Sequence, residues 1–292
     1  MRVLIATAVE SERRAVTRAS GAGTPAVVPL PFGGDLHRIR LGGGPRSPGR
    51  PAGAKRTAAD AAEPAGARPE SGGAEPTDRP AGATGQPAGR QAGVVADVVV
   101  VGVGSAAAAA VVGSVLAVAD EPYDLVVSAG IGGGFAERVP VGGLVVASSV
   151  LVVDLGAQTG TGFSDVAELG FGVVVHQPPP ELAAAVAAAT GGVLAPVLSV
   201  STVTGTEERR AELAARHRGA AAEAMEGFAV ATAADLHGVP TLEIRAVSNA
   251  VGPRDREAWR IPDALDALAA AFAAVGPVIE DWHQQRHQRE PS

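Results

Sequence analysis

The sequence predicts a three-layer α/β/α domain built on a mixed or parallel sheet. Strand-like and helix-like segments alternate along the chain, and strands such as the one over residues 124–129 carry successive apolar positions, here Leu125, Val126 and Val127, as in sheets covered on both faces. Setting residues 42–93 aside also leaves about 240 residues, an ordinary size for one α/β unit. In those 52 residues there are 13 Ala, 12 Gly and 8 Pro, with no Val, Ile, Leu, Met or aromatic residue. Such a stretch cannot bury a core, so it is expected to be a disordered insertion in one domain spanning 1–292.

The elements follow in order. The apolar run that begins at Val3 predicts a strand over Arg2 to Ala8, and the charged segment opened by Val9 and Glu10 suits a helix to about Ala19. Weaker strands are expected near Ala26 to Leu30 and Leu36 to Leu41. After the low-complexity segment come a strand over Val94 to Val103 and an Ala-rich helix from Ser105 to Ala119. The uncharged run from Val98 to Ala119 reaches membrane-spanning length. Gly102, Gly104, Ser105 and Gly113 interrupt it, however, so a strand, a turn and a buried helix are expected, with no membrane span. Asp124 to Ala129, apolar at Leu125, Val126, Val127 and Ala129, is a strand ending in a glycine loop, Gly130 to Gly134.

Strands are further predicted at Leu144 to Val153, Gly172 to His176 and Val193 to Val203. Helices are predicted at Glu181 to Thr190, Glu207 to His217 and Glu226 to Leu236. Thr241 to Val247 is a buried strand entered through Pro240. In the last helix Leu265, Leu268, Phe272, Val275, Ile279 and Trp282 recur every three or four residues after Pro262.

Composition removes several chemistries. The chain has no Cys, and its only Lys, Lys55, lies in the low-complexity segment. Thiolate nucleophiles, Cys-ligated zinc, a P-loop lysine and a lysine Schiff base are therefore not expected. Without disulfides nothing argues for secretion, and Val3 to Val9 is too short an apolar run for a signal peptide, so a cytoplasmic protein is expected. Outside residues 42–93 there are 17 basic and 26 acidic residues, a balance that makes nucleic acid a poor partner. His37, His176, His217 and His237 are scattered and His283 and His287 fall in a polar tail, so neither a metal nor another cofactor is expected.

Ligands in such folds gather at the carboxyl ends of strands, and four strand ends carry polar residues. Glu12 follows the opening strand, where a carboxylate also suits a helix start. The Gly130–Gly134 loop offers backbone that a ligand can approach closely. Met225-Glu226-Gly227 places a carboxylate at the mouth of an apolar helix, where it is costly unless paired or bound to hydroxyls. Arg245-Ala246-Val247-Ser248-Asn249 ends a buried strand in polar residues, although Asn there also suits a turn.

Taken in this order, Glu12, Ser128-Ala129-Gly130-Ile131-Gly132-Gly133, Met225-Glu226 and Arg245-Ala246-Val247-Ser248-Asn249 resemble the nucleoside phosphorylase and nucleosidase superfamily. The motifs are similar to those of the methylthioadenosine/S-adenosylhomocysteine nucleosidases. Ser248-Asn249 followed by Arg254-Asp255 and Trp259 is similar to the futalosine hydrolase branch. The resemblance implies a nucleoside phosphorylase-like fold with a partly barrel-like sheet, and cleavage of the N-ribosidic bond of futalosine to hypoxanthine and dehypoxanthine futalosine in menaquinone biosynthesis. It makes Glu12 the carboxylate that activates water and Glu226 the acceptor for the ribose hydroxyls, with Met225 against the sugar and Asn249 on the purine. Gly132, Gly133, Thr204 and Ser248 are placed among the substrate-binding residues. Trp259 is read as a wall of the 5′ pocket or, equally, as a core aromatic. The resemblance further implies a small nucleoside and water as partners and a homo-oligomer.

Carboxylates suit this chemistry because glycosidic cleavage passes through an oxocarbenium-like sugar. Adenine-specific members of the superfamily have Asp where this chain has Asn249. An amide can donate to the 6-oxo group of hypoxanthine and accept a proton arriving at N7, which favours a 6-oxopurine nucleoside. Because Asn is not a general acid, the N7 proton must come from water. The apolar Ile131 within the glycine segment, and the distance to the next cation at Arg138, favour hydrolysis over phosphorolysis. The alternatives are another purine nucleosidase or phosphorylase, acting on methylthioadenosine, S-adenosylhomocysteine or inosine. A dinucleotide-binding protein is a further one, suggested by Gly102-Val103-Gly104-Ser105-Ala106-Ala107 but lacking an acidic residue at the end of the next strand.

Overall fold

In a computed structural model of the chain the described residues are 1–18, 24–42 and 93–289. Apart from Gly42 and Gly93, the low-complexity segment lies outside them. The strands are β1 (Arg2–Thr7), β2 (Ala26–Pro29), β3 (Asp35–Leu41), β4 (Val94–Val100), β5 (Leu125–Gly134), β6 (Leu144–Val152), β7 (Gly156–Thr159), β8 (Gly162–Asp165), β9 (Val175–His176), β10 (Val193–Ser199), β11 (Ala222–Ala224) and β12 (Thr241–Ala250). The helices are α1 (Glu10–Arg18), α2 (Ser105–Val118), α3 (Pro180–Thr190), α4 (Glu207–Arg216), α5 (Gly227–Leu236) and α6 (Ile261–Arg289).

The main sheet runs β11-β10-β6-β12-β5-β1-β4-β3-β2 and β11 also pairs with β5, so β5, β12, β6, β10 and β11 close into a ring from which the remaining strands extend. Pairing is mixed: β1 is parallel to β4 and β5, and β12 is parallel to β5 but antiparallel to β6. β3 and β4 pair antiparallel, Leu41 opposite Val94. The separate hairpin of β7 and β8 and the short β11 have no counterpart among the predicted elements.

Alternation on the strands explains the layers. Val3, Ile5, Leu125, Val127, Leu242 and Ile244 face one way, into a core shared with α1, α3 and α6. Leu4, Ala6, Val99 and Val126 face the other way, onto α2 and α5. The expected three layers are therefore present, and the central sheet is partly barrel-like. The predicted stripe on α6 places Leu268, Phe272, Val275 and Ile279 in the first core. Residues 98–119 are a strand, a turn and a helix, as expected. In β4 the fully buried Asp97 accepts hydrogen bonds from Arg2, Arg38 and Tyr123, tying three strands together. Burial alone would raise its pKa, but these donors outweigh that and hold it below the usual range.

Two boundaries differ from prediction in a way that matters for the site. Gly130–Gly134 is not a loop: β5 continues through it, because β12 pairs with it on one side and Ala222 and Glu223 pair with Gly134 and Gly133 on the other. Likewise β12 runs on to Ala250 rather than stopping at Val247. Its register to β5 shifts between Val247 and Asn249, so Ser248 is the extra residue of a bulge, a device that re-aims a side chain. The strands predicted to end at Val103 and Val203 stop at Val100 and Ser199, and the one predicted over Gly172 to His176 shrinks to Val175–His176.

Candidate active site

The carboxyl ends of β1, β5 and β12 and the residues that follow β10 and β11 surround a cavity of about 360 Å³. Every residue predicted for the site lines it: Glu12, Gly132, Gly133, Thr204, Met225, Glu226, Ser248, Asn249 and Trp259. A larger hollow of about 530 Å³ beside Glu181, Asp235 and Trp282 holds none of them.

Glu12 is buried in the first turn of α1, at 3% exposure. Oε2 accepts hydrogen bonds from the amides of Ala8 at 2.8 Å and Val9 at 3.2 Å, and Oε1 accepts one from Ile131 at 2.8 Å. Three fixed donors thus hold the carboxylate at the junction of β1 and β5. Its pKa is raised: burial and, more weakly, Glu226 push it up, while Arg245 and the Ile131 amide pull it down. Gly130 is required by this arrangement, since a Cβ there would stand 2.6 Å from Glu12 Oε1 and 2.8 Å from Arg245 Nη1.

Arg245 lies beneath the cavity and is fully buried. Its Nε donates to Glu243 Oε1 at 2.8 Å, its Nη2 donates to Ser128 Oγ at 3.0 Å, and Nη1 is 3.3 Å from Glu226 Oε2. Glu226 also accepts from the Gly104 amide at 3.1 Å. The glycine turn that suggests a dinucleotide fingerprint therefore serves a carboxylate of the chain itself. Glu243 packs against Gly227, where a side chain would collide with both carboxylate oxygens.

The bulge residue Ser248 donates to Asn249 Oδ1 at 2.8 Å, with Gly132 O 3.2 Å away as a second acceptor. Asn249 Nδ2 donates to Ala250 O at 3.0 Å. The Ser248 hydroxyl marks the amide oxygen, and the NH₂ group retains one further donor. Trp259 is half-buried, lies on the cavity wall and has the Arg254 guanidinium 5.6 Å from its ring centre. It is a wall residue and not a core aromatic.

Sequence reasoning missed two features. Glu243 and Arg245 alternate within an apolar strand, so opposite charges share one face, a signal legible in the sequence. Glu223, at 5% exposure, also lines the cavity; its carboxylate accepts from the Thr204 amide at 2.8 Å and from the Thr204 hydroxyl. Burial raises its pKa against the pull of these bonds. Away from the cavity, His283 and His287 are one turn apart on α6, which continues through the polar tail. Their ligand atoms and those of Asp124, at the amino end of β5, lie within 4.8 Å of one another, a set that could hold a cation.

The sequence matches the phosphorylase superfamily over residues 77–278. It is 57% identical over 196 residues to a futalosine hydrolase of Streptomyces coelicolor, covering 66% of this chain and 83% of that one. It is 43% identical over 190 residues to a futalosine hydrolase of Acidothermus cellulolyticus, covering 62% and 75%. Among solved structures the fold matches futalosine hydrolase of Helicobacter pylori at a TM-score of 0.64 and 15% identity, covering 94% and 97% of the two chains. A methylthioadenosine/S-adenosylhomocysteine nucleosidase of Colwellia psychrerythraea, bound to adenine, matches at 0.64 and 21% identity over 94% and 92%.

Proposed function

Because the chain belongs to the phosphorylase superfamily and, within it, to the futalosine hydrolases, we propose that its cavity hydrolyses the N-ribosidic bond of futalosine. The products are hypoxanthine and dehypoxanthine futalosine, a step of menaquinone biosynthesis. The observation that carries the reading is the convergence of two buried carboxylates, Glu12 and Glu226, with Asn249 on one cavity at the strand ends.

Glu12 takes a proton from water as the water oxygen bonds to C1′ of the ribose. The C1′–N9 bond breaks, its electron pair goes to the purine, and a solvent proton arrives at N7. Glu12 then returns its proton to solvent. Three amide donors keep Glu12 oriented for this step, and its raised pKa makes it a stronger base than an exposed carboxylate. Glu226 accepts from the ribose hydroxyls with the lone pairs that Gly104 and Arg245 leave open, and its charge favours the oxocarbenium-like sugar.

Met225 packs against the sugar, and Asn249 donates its remaining N–H to O6, oriented by Ser248. Gly132 and Gly133 bring the β5 backbone to the cavity wall beside the ligand. Trp259 and Arg254 form the side of the cavity available to the 5′ substituent. Water is the nucleophile: Arg254 is the one arginine on the cavity wall among the described residues, and Arg245 is committed to carboxylates. The same reading has the chain act as a cytoplasmic homo-oligomer on a small nucleoside.

The test is release of free hypoxanthine from futalosine in phosphate-free buffer, with inosine and methylthioadenosine beside it. Turnover of futalosine without phosphate is expected. Turnover only on adding phosphate, or release of adenine alone, overturns the reading.

A further inference from the structure

Glu223 is a buried carboxylate on the cavity wall to which the proposed reaction gives no task. Its place is set by the sheet. Gly133 of β5 is opposite Glu223 on β11 and also opposite Asn249 on β12, so the two polar residues flank one glycine from its two sides. That glycine has no side chain to come between them; a Cβ there would lie 3.5 Å from Asn249 Nδ2.

The hydrogen-bond polarity of this edge follows from its partners. The Thr204 amide and hydroxyl, both potential donors, are taken by Glu223. Among the described residues no cation bonds to the Glu223 carboxylate, and two bonds leave half of its lone pairs open. What this wall presents is therefore an acceptor, while Asn249 on the far side of Gly133 presents a donor. A 6-oxopurine has the matching pattern on two groups bonded to C6, an O6 acceptor and an N1–H donor. A 6-aminopurine has the opposite one, an N6 donor and an N1 acceptor.

We propose that Glu223 accepts the N1–H of the purine and, with Asn249 on O6, selects a 6-oxopurine over a 6-aminopurine. The inference rests on the hypoxanthine reading of the cavity. It makes Glu223 a specificity residue with no part in bond cleavage, and it makes Thr204 the residue that turns the carboxylate toward the base.

The test is inhibition of wild type and Glu223→Gln by hypoxanthine and by 1-methylhypoxanthine, in which a methyl group replaces the N1 proton. Glutamine keeps the size of the side chain and removes its charge. A hydrogen bond to a charged acceptor is worth roughly tenfold to a hundredfold in affinity, so E223Q should weaken hypoxanthine by about that factor and leave 1-methylhypoxanthine unchanged. Equal weakening of both bases, or of neither, overturns the proposal. Glu223→Ala, which also frees the Thr204 amide as a donor, should raise the ratio of adenine to hypoxanthine affinity; an unchanged ratio counts against the proposal in the same way. Whether the wild type releases hypoxanthine from futalosine is measured first and separately. Failure there removes the reaction, whereas success there with an unchanged E223Q profile removes only the role of Glu223.

Discussion

Arg245 Nε lies 2.8 Å from Glu243 Oε1, two residues back on the same strand, and neither side chain reaches solvent. The same guanidinium faces Glu226, and its charge is felt by Glu12. One cation beneath the cavity thus serves three buried carboxylates, two of them on its wall. Glu243 is pushed up by burial and pulled down by Arg245, with a net rise.

Removing that cation should be costly. Arg245→Met is expected to lose about 3–5 kcal/mol of stability, because it leaves Glu243 buried without its partner. Arg245→Met combined with Glu243→Leu should lose less than the single change, since apolar residues can replace a buried pair with little net loss. Denaturant titration of the three proteins checks this, and a double variant less stable than Arg245→Met would refute it.

Gly130→Ala tests the packing of Glu12. The new methyl group would sit 2.6 Å from Glu12 Oε1, and the Ile131–Glu12 bond would have to open. Overpacking of this kind costs roughly 1–3 kcal/mol. We expect a folded protein whose kcat falls about a hundredfold, as a displaced catalytic group implies. Activity within twofold of wild type would show that Glu12 can relocate without penalty.

Glu12 also sets a pH dependence. Its pKa is raised, chiefly by burial, so the base form appears at higher pH than for an ordinary carboxylate. The acid limb of kcat/KM should therefore lie above 4.5, the usual glutamate value, and should vanish with Glu12→Gln, which should lower kcat by about 10²–10⁴-fold. The sign for stability is opposite: ionising a group whose folded pKa is raised removes stability as pH climbs through that pKa. Thermal unfolding across the acid range should show Glu12→Gln gaining on wild type as pH rises. An acid limb that persists in the variant would assign the titration elsewhere.

Asn249→Asp addresses the base. The substitution replaces the donor for O6 with a carboxyl group, so turnover of 6-oxopurine nucleosides should fall, by about 10⁴-fold at the extreme for an unmatched buried polar pair. Turnover of 6-amino nucleosides should fall less or rise. Loss by one common factor on both would mean that Asn249 does not read position 6.

Much of this was legible in the chain. The apolar periods of β1, β5 and α6 place those elements, and polar residues at strand ends mark Glu12, Glu226 and Asn249. The glycines of β5 read as a turn because Gly130-Ile131-Gly132-Gly133-Gly134 has turn composition. Pairing on both edges overrides that propensity, and the glycines are there to admit Glu12, Arg245 and the Glu223 backbone. Glu223 is not legible in the sequence because a single carboxylate in an alanine run looks exposed; its burial depends on β11 meeting β5, a contact between residues about ninety positions apart. Asp124, His283 and His287 likewise come together only through the packing of α6.

The closed circuit of β5, β12, β6, β10 and β11 has a mechanical consequence. An open sheet lets an outer strand slide by two residues at the cost of its own ladder, but in a ring every strand has two neighbours and a slip in one must be matched by all the others. Asn249, Glu223 and the β5 glycines stand on three of these interlocked strands. Their relative heights are fixed by the count of residues around the circuit, so the spacing between the donor and acceptor on the base-facing wall is set by topology as much as by local packing.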